Sequence, residues 1–299
     1  SDLGQSIARV ITDSFPNCIV YGTDINSLNS GIVFCNKIFL LPKANENQYI
    51  IKLKELIKRL GIDLIIPASE QELLKIPEYL DENNKLENVP VLGYFDEIAS
   101  IGRDKLKTNK WLSDIGIKVP DTLLFSDIDK QDIKSYLLKH HKLILKKRID
   151  SGSRNIFLIN KISQIPKEIY IESSEWILQE YLPSHNGEYT IAVNTLNKKN
   201  KHIQFIRILQ YGSTSYAEIV DNQQISDVIN KVVTNLKQDS AFNIQLRLKL
   251  GVPMIFEINP RFSSTVYARH VLGFPDLAEW IAYHLKIKKE FSYNFEKGK

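Results

Sequence analysis

Two short segments carry the groups best suited to chemistry, FNIQLRL at 242–248 and MIFEINPR at 254–261. Side chains alternate across a strand, so Asn243, Gln245 and Arg247 are expected to share one face of the first. In the second, Glu257, Asn259 and Arg261 are expected to oppose Met254, Phe256 and Ile258. An antiparallel hairpin centred on Gly251 sets Gln245 opposite Glu257 and Asn243 opposite Asn259, with Cβ atoms roughly 4.5–5.5 Å apart. Glu257, Gln245 and Asn259 offer oxygen donors, and Mg²⁺ prefers a few protein oxygens with water and phosphate completing its octahedron. Arg261 would face the same phosphates. A hairpin that merely turns its polar face to water shows the same alternation, so the segment needs company elsewhere in the chain.

Company comes from KLILKK (142–147) and the RIDSGSR that follows it. Lys146 and Arg148 supply positive charge, and Ser151, Gly152 and Ser153 can bend closely round an anion with amides and hydroxyls. Serine and glycine are also default turn residues, so an ordinary β-hairpin loop has the same composition.

The elements that must position these groups fall into two stretches. Up to about residue 103, strands near 18–25, 63–69 and 89–94 alternate with helices near 6–14, 46–60 and 70–82, which implies a parallel sheet. The sequence opens at Ser1 without a methionine and runs at once into a helix; it is expected to begin mid-fold, with a first strand preceding Ser1. Asp24 at a strand end invites a dinucleotide-binding reading, but no GxGxxG accompanies it. A short helix over about 104–115 opens the second stretch, followed by a helix near 129–140, strand 142–147, strand 156–159, a helix near 164–172 and strand 176–182. Strands at 187–194, 202–210 and 215–220 read as antiparallel, so this stretch is α+β. A helix, a Gly-Phe-Pro break and a second helix span 265–285.

The 299 residues are 43% hydrophobic and 25% charged, enough to build a core in each of two domains. A net charge of +4, with lysine clusters near 198–201 and 286–289 that read as a solvated turn and a helix tail, argues against a nucleic-acid or membrane partner. Apolar runs are far shorter than a membrane span and no signal segment is evident, so a cytoplasmic protein is expected. Cys18 and Cys35 lack paired spacing, there is no HExxH, and neither thiol nor zinc chemistry is proposed.

Taken together, ILKKRIDSGSRNI, LQEYL followed by GEYT, and FNIQLRL followed by FEINPRFSST resemble the ATP-grasp superfamily, with carbamoyl-phosphate-synthase-like proteins nearest. The resemblance covers about 104–285 and implies a Rossmann-like α/β pre-ATP-grasp domain (1–103), then an α+β ATP-grasp domain (104–299) with a lid subdomain at about 118–178, two subdomains clasping ATP. It implies a Mg-ATP ligase, Mn²⁺ being admissible, that phosphorylates a carboxylate and joins the acyl phosphate to an amine or another nucleophile. The partners would be small molecules, with a homodimer as the assembly the family admits. Residue by residue, the resemblance makes Gln245, Glu257 and Asn259 metal ligands. Arg261 would steady the transferring phosphoryl group, Lys146 and Lys105 would be phosphate lysines, and the 151–153 loop would be part of the lid. Gln179, Glu180, Tyr181 and Leu182 would form the adenine hinge. Glu188 would take the ribose hydroxyls, or equally be a solvent-facing strand residue. Lys147 stands where the family usually has proline, and the loop is poorer in glycine than the usual lid. Bicarbonate activation of the carbamoyl-phosphate type, and a regulatory module that binds ATP without chemistry, remain alternatives.

Overall fold

The computed structural model describes residues 2–28, 30–93, 95–149, 155–185, 187–210 and 213–298. They divide into two units, one built from Ser1–Phe95 with Arg261–Lys297 and the other from Asp96–Pro260.

In the first unit, helix α1 (Asp2–Ser14) leads to strand β1 (Tyr21–Asp24), which pairs in parallel with β2 (Lys37–Leu40). Helix α2 (Gln48–Leu60) buries Tyr49, Ile50, Leu53 and Ile57, the one-sided stripe of an amphipathic helix. It ends at Gly61, whose φ of 62° suits the left-handed cap. A capping box between Ser69 and Glu72 starts α3 (Glu70–Lys75). The helix expected over 70–82 stops early and continues as a 3₁₀ turn, Ile76–Tyr79, because Pro77 has no amide hydrogen to carry the α-helical ladder. The strand expected over 63–69 shrinks to one parallel bridge, Ile65 with Val91, with Pro67 close behind it. A short hairpin of β3 (Lys85–Leu86) and β4 (Val89–Pro90) completes this part. A cavity of about 540 Å³ is lined by Gly22 of β1, Ile65, Ile7 of α1 and Leu53 of α2.

The second unit begins with α4 (Asp96–Gly102) and α5 (Lys105–Asp114), the latter capped by the Asp104 carboxylate on the amides of Leu106 and Lys107. Strands β5 (Thr122–Leu124), β6 (Leu143–Lys147), β7 (Ile156–Ile159) and β8 (Trp176–Glu180) form an antiparallel sheet in the order β5-β8-β6-β7, with α6 (Lys130–His140) laid against β6. Leu143, Leu145, Leu178 and Ile133 are in its core. Residues 164–172 form 3₁₀ turns rather than the expected α-helix, since Pro166 again interrupts the ladder. A second antiparallel sheet runs β11-β10-β9-β12-β13, from β9 (Glu188–Asn194), β10 (Lys201–Gln210), β11 (Ser213–Val220), β12 (Ala241–Lys249) and β13 (Val252–Asn259). Between β11 and β12 lies α7 (Gln223–Thr234), which buries Ile225, Ile229 and Val232. Helix α4 approaches β13 so closely that a Cβ on Gly102 would stand 2.8 Å from the Ile258 carbonyl oxygen.

The chain then returns to the first unit, where α8 (Val266–Val271) and α9 (Asp276–His284) pack on α1. Among the described residues, no helix is long and apolar enough to cross a membrane.

Candidate functional site

The β12–β13 hairpin places Gln245 opposite Glu257 and Asn243 opposite Asn259. It does so by a different route from a turn centred on Gly251. The turn is the two residues Leu250 and Gly251, with φ of 51° and 82°, so the strands leave it paired as Lys249 with Val252 and Arg247 with Met254. A β-bulge at Phe256, which has no partner in the register, then shifts the pairing by one residue. The bulge also overturns the expected faces. Met254 stands opposite Arg247 and so shares its side, while the Phe256 ring lies 5.5 Å from the Arg247 guanidinium and 5.7 Å from Lys146 Nζ.

Gln245, Glu257 and Asn259 are half-buried, and their side chains make no hydrogen bond or ion pair with another described residue. Their uncommitted oxygens fit a hard divalent cation, with Glu257 the only carboxylate of the three. Asn243 differs, because its side-chain oxygen already accepts the Thr190 hydroxyl at 2.9 Å.

Lys146, on β6 of the other sheet, is buried in the field of this hairpin. Burial lowers its pKa to about 8; Glu257 pulls it up, while Lys105 at the start of α5 and Arg247 push it down. Lys146 therefore lies within the field of all three charges. Neighbouring Lys147 is committed elsewhere, to Glu175 at 2.9 Å and Glu172 at 3.4 Å.

Arg148 is not drawn towards this group. Its guanidinium holds the Asp104 carboxylate at 2.5 Å and the Ser174 carbonyl at 3.1 Å, fastening the end of β6 to the cap of α5. Burial alone would raise the Asp104 carboxyl; Arg148 and the two capping amides outweigh it and lower it. Ser151, Gly152 and Ser153 lie outside the described residues. Arg261, which directly follows the second unit, donates from its guanidinium to the Phe262 carbonyl at 3.0 Å.

The segment 179–182 ends β8. Gln179 turns its amide to the Thr122 hydroxyl at 2.7 Å, and the Tyr181 amide meets the Lys142 carbonyl at 3.3 Å. The Glu180 carboxylate pairs with Lys249 of β12 and receives the Asp121 amide at 3.4 Å. His140 closes a small cluster here with Asp121 and Glu180, all within metal-ligand spacing. Each carboxylate already carries a lysine, Lys139 on Asp121 and Lys249 on Glu180, so the cluster is a charge network that is neutral without an ion.

Glu188, expected to meet ribose, is buried between two arginines that alternation alone does not pair with it. Arg207 of β10 and Arg247 of β12 stand directly across from it on either side, in one row over three strands. Each sends Nε and Nη2 to one carboxylate oxygen, at 3.2 and 2.7 Å from Arg207 and at 3.2 and 2.6 Å from Arg247. Arg247 also donates through Nη1 to the Leu182 carbonyl. In the first unit, Arg269 and Asp276 form a buried ion pair, and the ring of Tyr267 carries the Arg9 guanidinium at 3.6 Å.

Known proteins share this architecture. Residues 4–92 match the PylC-like N-terminal domain, and residues 172–293 match a family described as ATP-grasp in the biosynthetic pathway with Ter operon. A carbamoyl-phosphate synthase of Methanobrevibacter smithii is 21% identical over 248 residues, covering 78% of this chain and 65% of that protein. The chain thus spans less than two thirds of this curated relative. Among solved structures, N5-carboxyaminoimidazole synthetase from Staphylococcus aureus with ADP superposes with a TM-score of 0.71 at 15% identity, over 99% of this chain and 78% of that one. The biotin carboxylase domain of Hydrogenobacter thermophilus 2-oxoglutarate carboxylase, with MgADP and bicarbonate, gives 0.73 at 12% identity, over 98% and 70%. With an N-terminal α/β domain ahead of two antiparallel sheets, the chain has the ATP-grasp fold and resembles the ATP-grasp ligases, carbamoyl-phosphate synthase among them.

Proposed function

We propose that this protein is a Mg-ATP-dependent ligase that converts a small carboxylate to an acyl phosphate and passes the acyl group to an amine or related nucleophile. The observation that carries this reading is the pairing of Gln245 with Glu257 in the field of buried Lys146, three oxygen donors with Asn259 beside a cation. Gln245, Glu257 and Asn259 would hold Mg²⁺, or Mn²⁺ in its place, which when bound withdraws charge from the phosphate oxygens. Lys146 and Lys105 would balance the charge that grows on the transferring phosphoryl group, and Arg261 would steady it. Residues 179–182 would seat the base through main-chain groups. The catalytic domain on this reading is 104–299, with 118–178 as its lid and 151–153 in the loop that excludes water from the acyl phosphate.

Hydroxylamine trapping tests the reaction class. With ATP and the correct acid, a hydroxamate should accumulate with ADP. ATP bound tightly, but no hydroxamate or ADP with any acid screened, would instead support a binding module. ADP release stimulated by bicarbonate alone would favour the carbamoyl-phosphate type of chemistry, which the likeness to carbamoyl-phosphate synthase suggests.

The Lys146 ammonium supplies a second test. With a pKa of about 8 in the free protein, raised when phosphate binds, its contribution to affinity is complete only well below pH 8 and begins to fall as pH approaches 8. As pH climbs beyond 8, binding must first protonate the amine, so ADP affinity should fall by up to about tenfold per pH unit. Titration calorimetry between pH 7.5 and 9.5 should show this fall in the wild type and not in Lys146→Met. A flat profile in the wild type would remove Lys146 from the phosphate site.

A further inference from the structure

Arg247 touches the expected hinge, Glu188 and the bulge residue Phe256 at once, although neither the alternation pattern nor the family likeness gives it a role. Its Nη1 holds the Leu182 carbonyl of the hinge, and its Nε and Nη2 hold one oxygen of Glu188. Its face rests over the bulge residue Phe256, next to Glu257 in the chain. Arg207 takes the second oxygen of Glu188, so the four acceptor positions of that carboxylate are filled by the Nε and Nη2 of two guanidinium groups. A carboxylate held this way is fixed in rotation. The hinge carbonyl is fixed by the same guanidinium, and therefore at a set distance from it.

We propose that Arg247 is a positioning residue for nucleotide binding, a single guanidinium that sets the hinge, the Glu188 carboxylate and the Phe256 bulge relative to one another. The inference rests on the ATP-binding reading above. Lysine at this position keeps the charge but cannot fork to Glu188 while reaching the Leu182 carbonyl.

The test uses MgADP and magnesium pyrophosphate binding by calorimetry at pH 7.5, with circular dichroism as a check on folding. Arg247→Met should weaken MgADP by about tenfold or more, the scale of one lost charge-assisted contact. It should leave magnesium pyrophosphate unchanged, because the hinge meets the base and not the phosphates. Arg247→Lys should bind MgADP as weakly as Arg247→Met. A merely structural arginine would change thermal stability and affect both ligands alike. If the wild type binds MgADP and Arg247→Met binds equally well, the inference is wrong and the ATP reading stands. If Arg247→Met does not fold, Arg247→Lys decides: wild-type affinity in that variant overturns the positioning role. A wild type that binds no MgADP overturns the ATP reading itself.

Discussion

Glu257→Gln should cut ADP formation by roughly a thousandfold while leaving the fold intact. Among the three oxygen donors of the hairpin, Gln245 and Asn259 are neutral, so Glu257 supplies the whole formal charge offered to a divalent cation. The change keeps volume and one donor oxygen and removes that charge. Several kcal/mol of stabilisation of the phosphoryl-transfer transition state would go with it. Loss of the carboxylate also deprives Lys146 of the one neighbour that favours its ammonium form, so the variant should hold less charge at that lysine near neutral pH. Single-turnover ADP formation with the acid found by trapping measures the first effect. The gain in ADP affinity on adding Mg²⁺ measures the metal directly and should shrink in the variant. A folded Glu257→Gln protein that keeps both the rate and the Mg²⁺ gain of its parent would remove the metal assignment.

The second large effect concerns stability. Arg269 and Asp276 are each about 1% exposed, and the guanidinium meets the carboxylate through Nε at 3.0 Å and Nη2 at 2.7 Å. Its remaining nitrogen reaches Ser263 at 2.9 Å and Thr265 at 3.3 Å, on the segment that leads from Arg261 into α8. Asp276→Asn leaves a buried guanidinium without a counter-charge, which costs about 3–5 kcal/mol. A drop of about 10 °C or more in melting temperature should follow. The double variant Arg269→Met with Asp276→Asn should recover part of the loss, since removing both charges abolishes the uncompensated one. Urea denaturation reads both, and an Asp276→Asn midpoint equal to wild type would show that water reaches the pair.

Much of this site is legible in the sequence because the relevant order is local. The hairpin residues lie within seventeen positions, and the expected pairing of Gln245 with Glu257 is found, although a bulge that alternation does not show is what brings it about. The neighbours of Glu188 are not legible in the same way. Arg207 is nineteen positions away and Arg247 fifty-nine, and only the strand order β10-β9-β12 brings them together. Proline set the other limits. The 164–172 and 70–82 stretches have helical spacing of apolar residues, yet Pro166 breaks the first into 3₁₀ turns and Pro77 leaves the second an α-helix only as far as Lys75. Helix α7 has no counterpart among the elements expected from the sequence, although it carries its own signal: Asn222 caps the amide of Ile225, and Ile229 and Val232 continue the stripe. The fold class follows from the alternation of elements. The faces of Met254 and Phe256 do not, because a bulge leaves no mark in hydrophobic periodicity.

That bulge turns the hairpin into a problem of parity. Gln245 and Glu257 are an even number of residues apart, and a two-residue turn can set only odd-spaced residues across from each other. One unpaired residue restores the match. Any lineage that adds or removes a single residue within 253–256 must change the number of bulges too, or Glu257 passes to the far face of the sheet. Insertions at 250–251 only lengthen the turn and keep Lys249 across from Val252, so they leave Glu257 on its side.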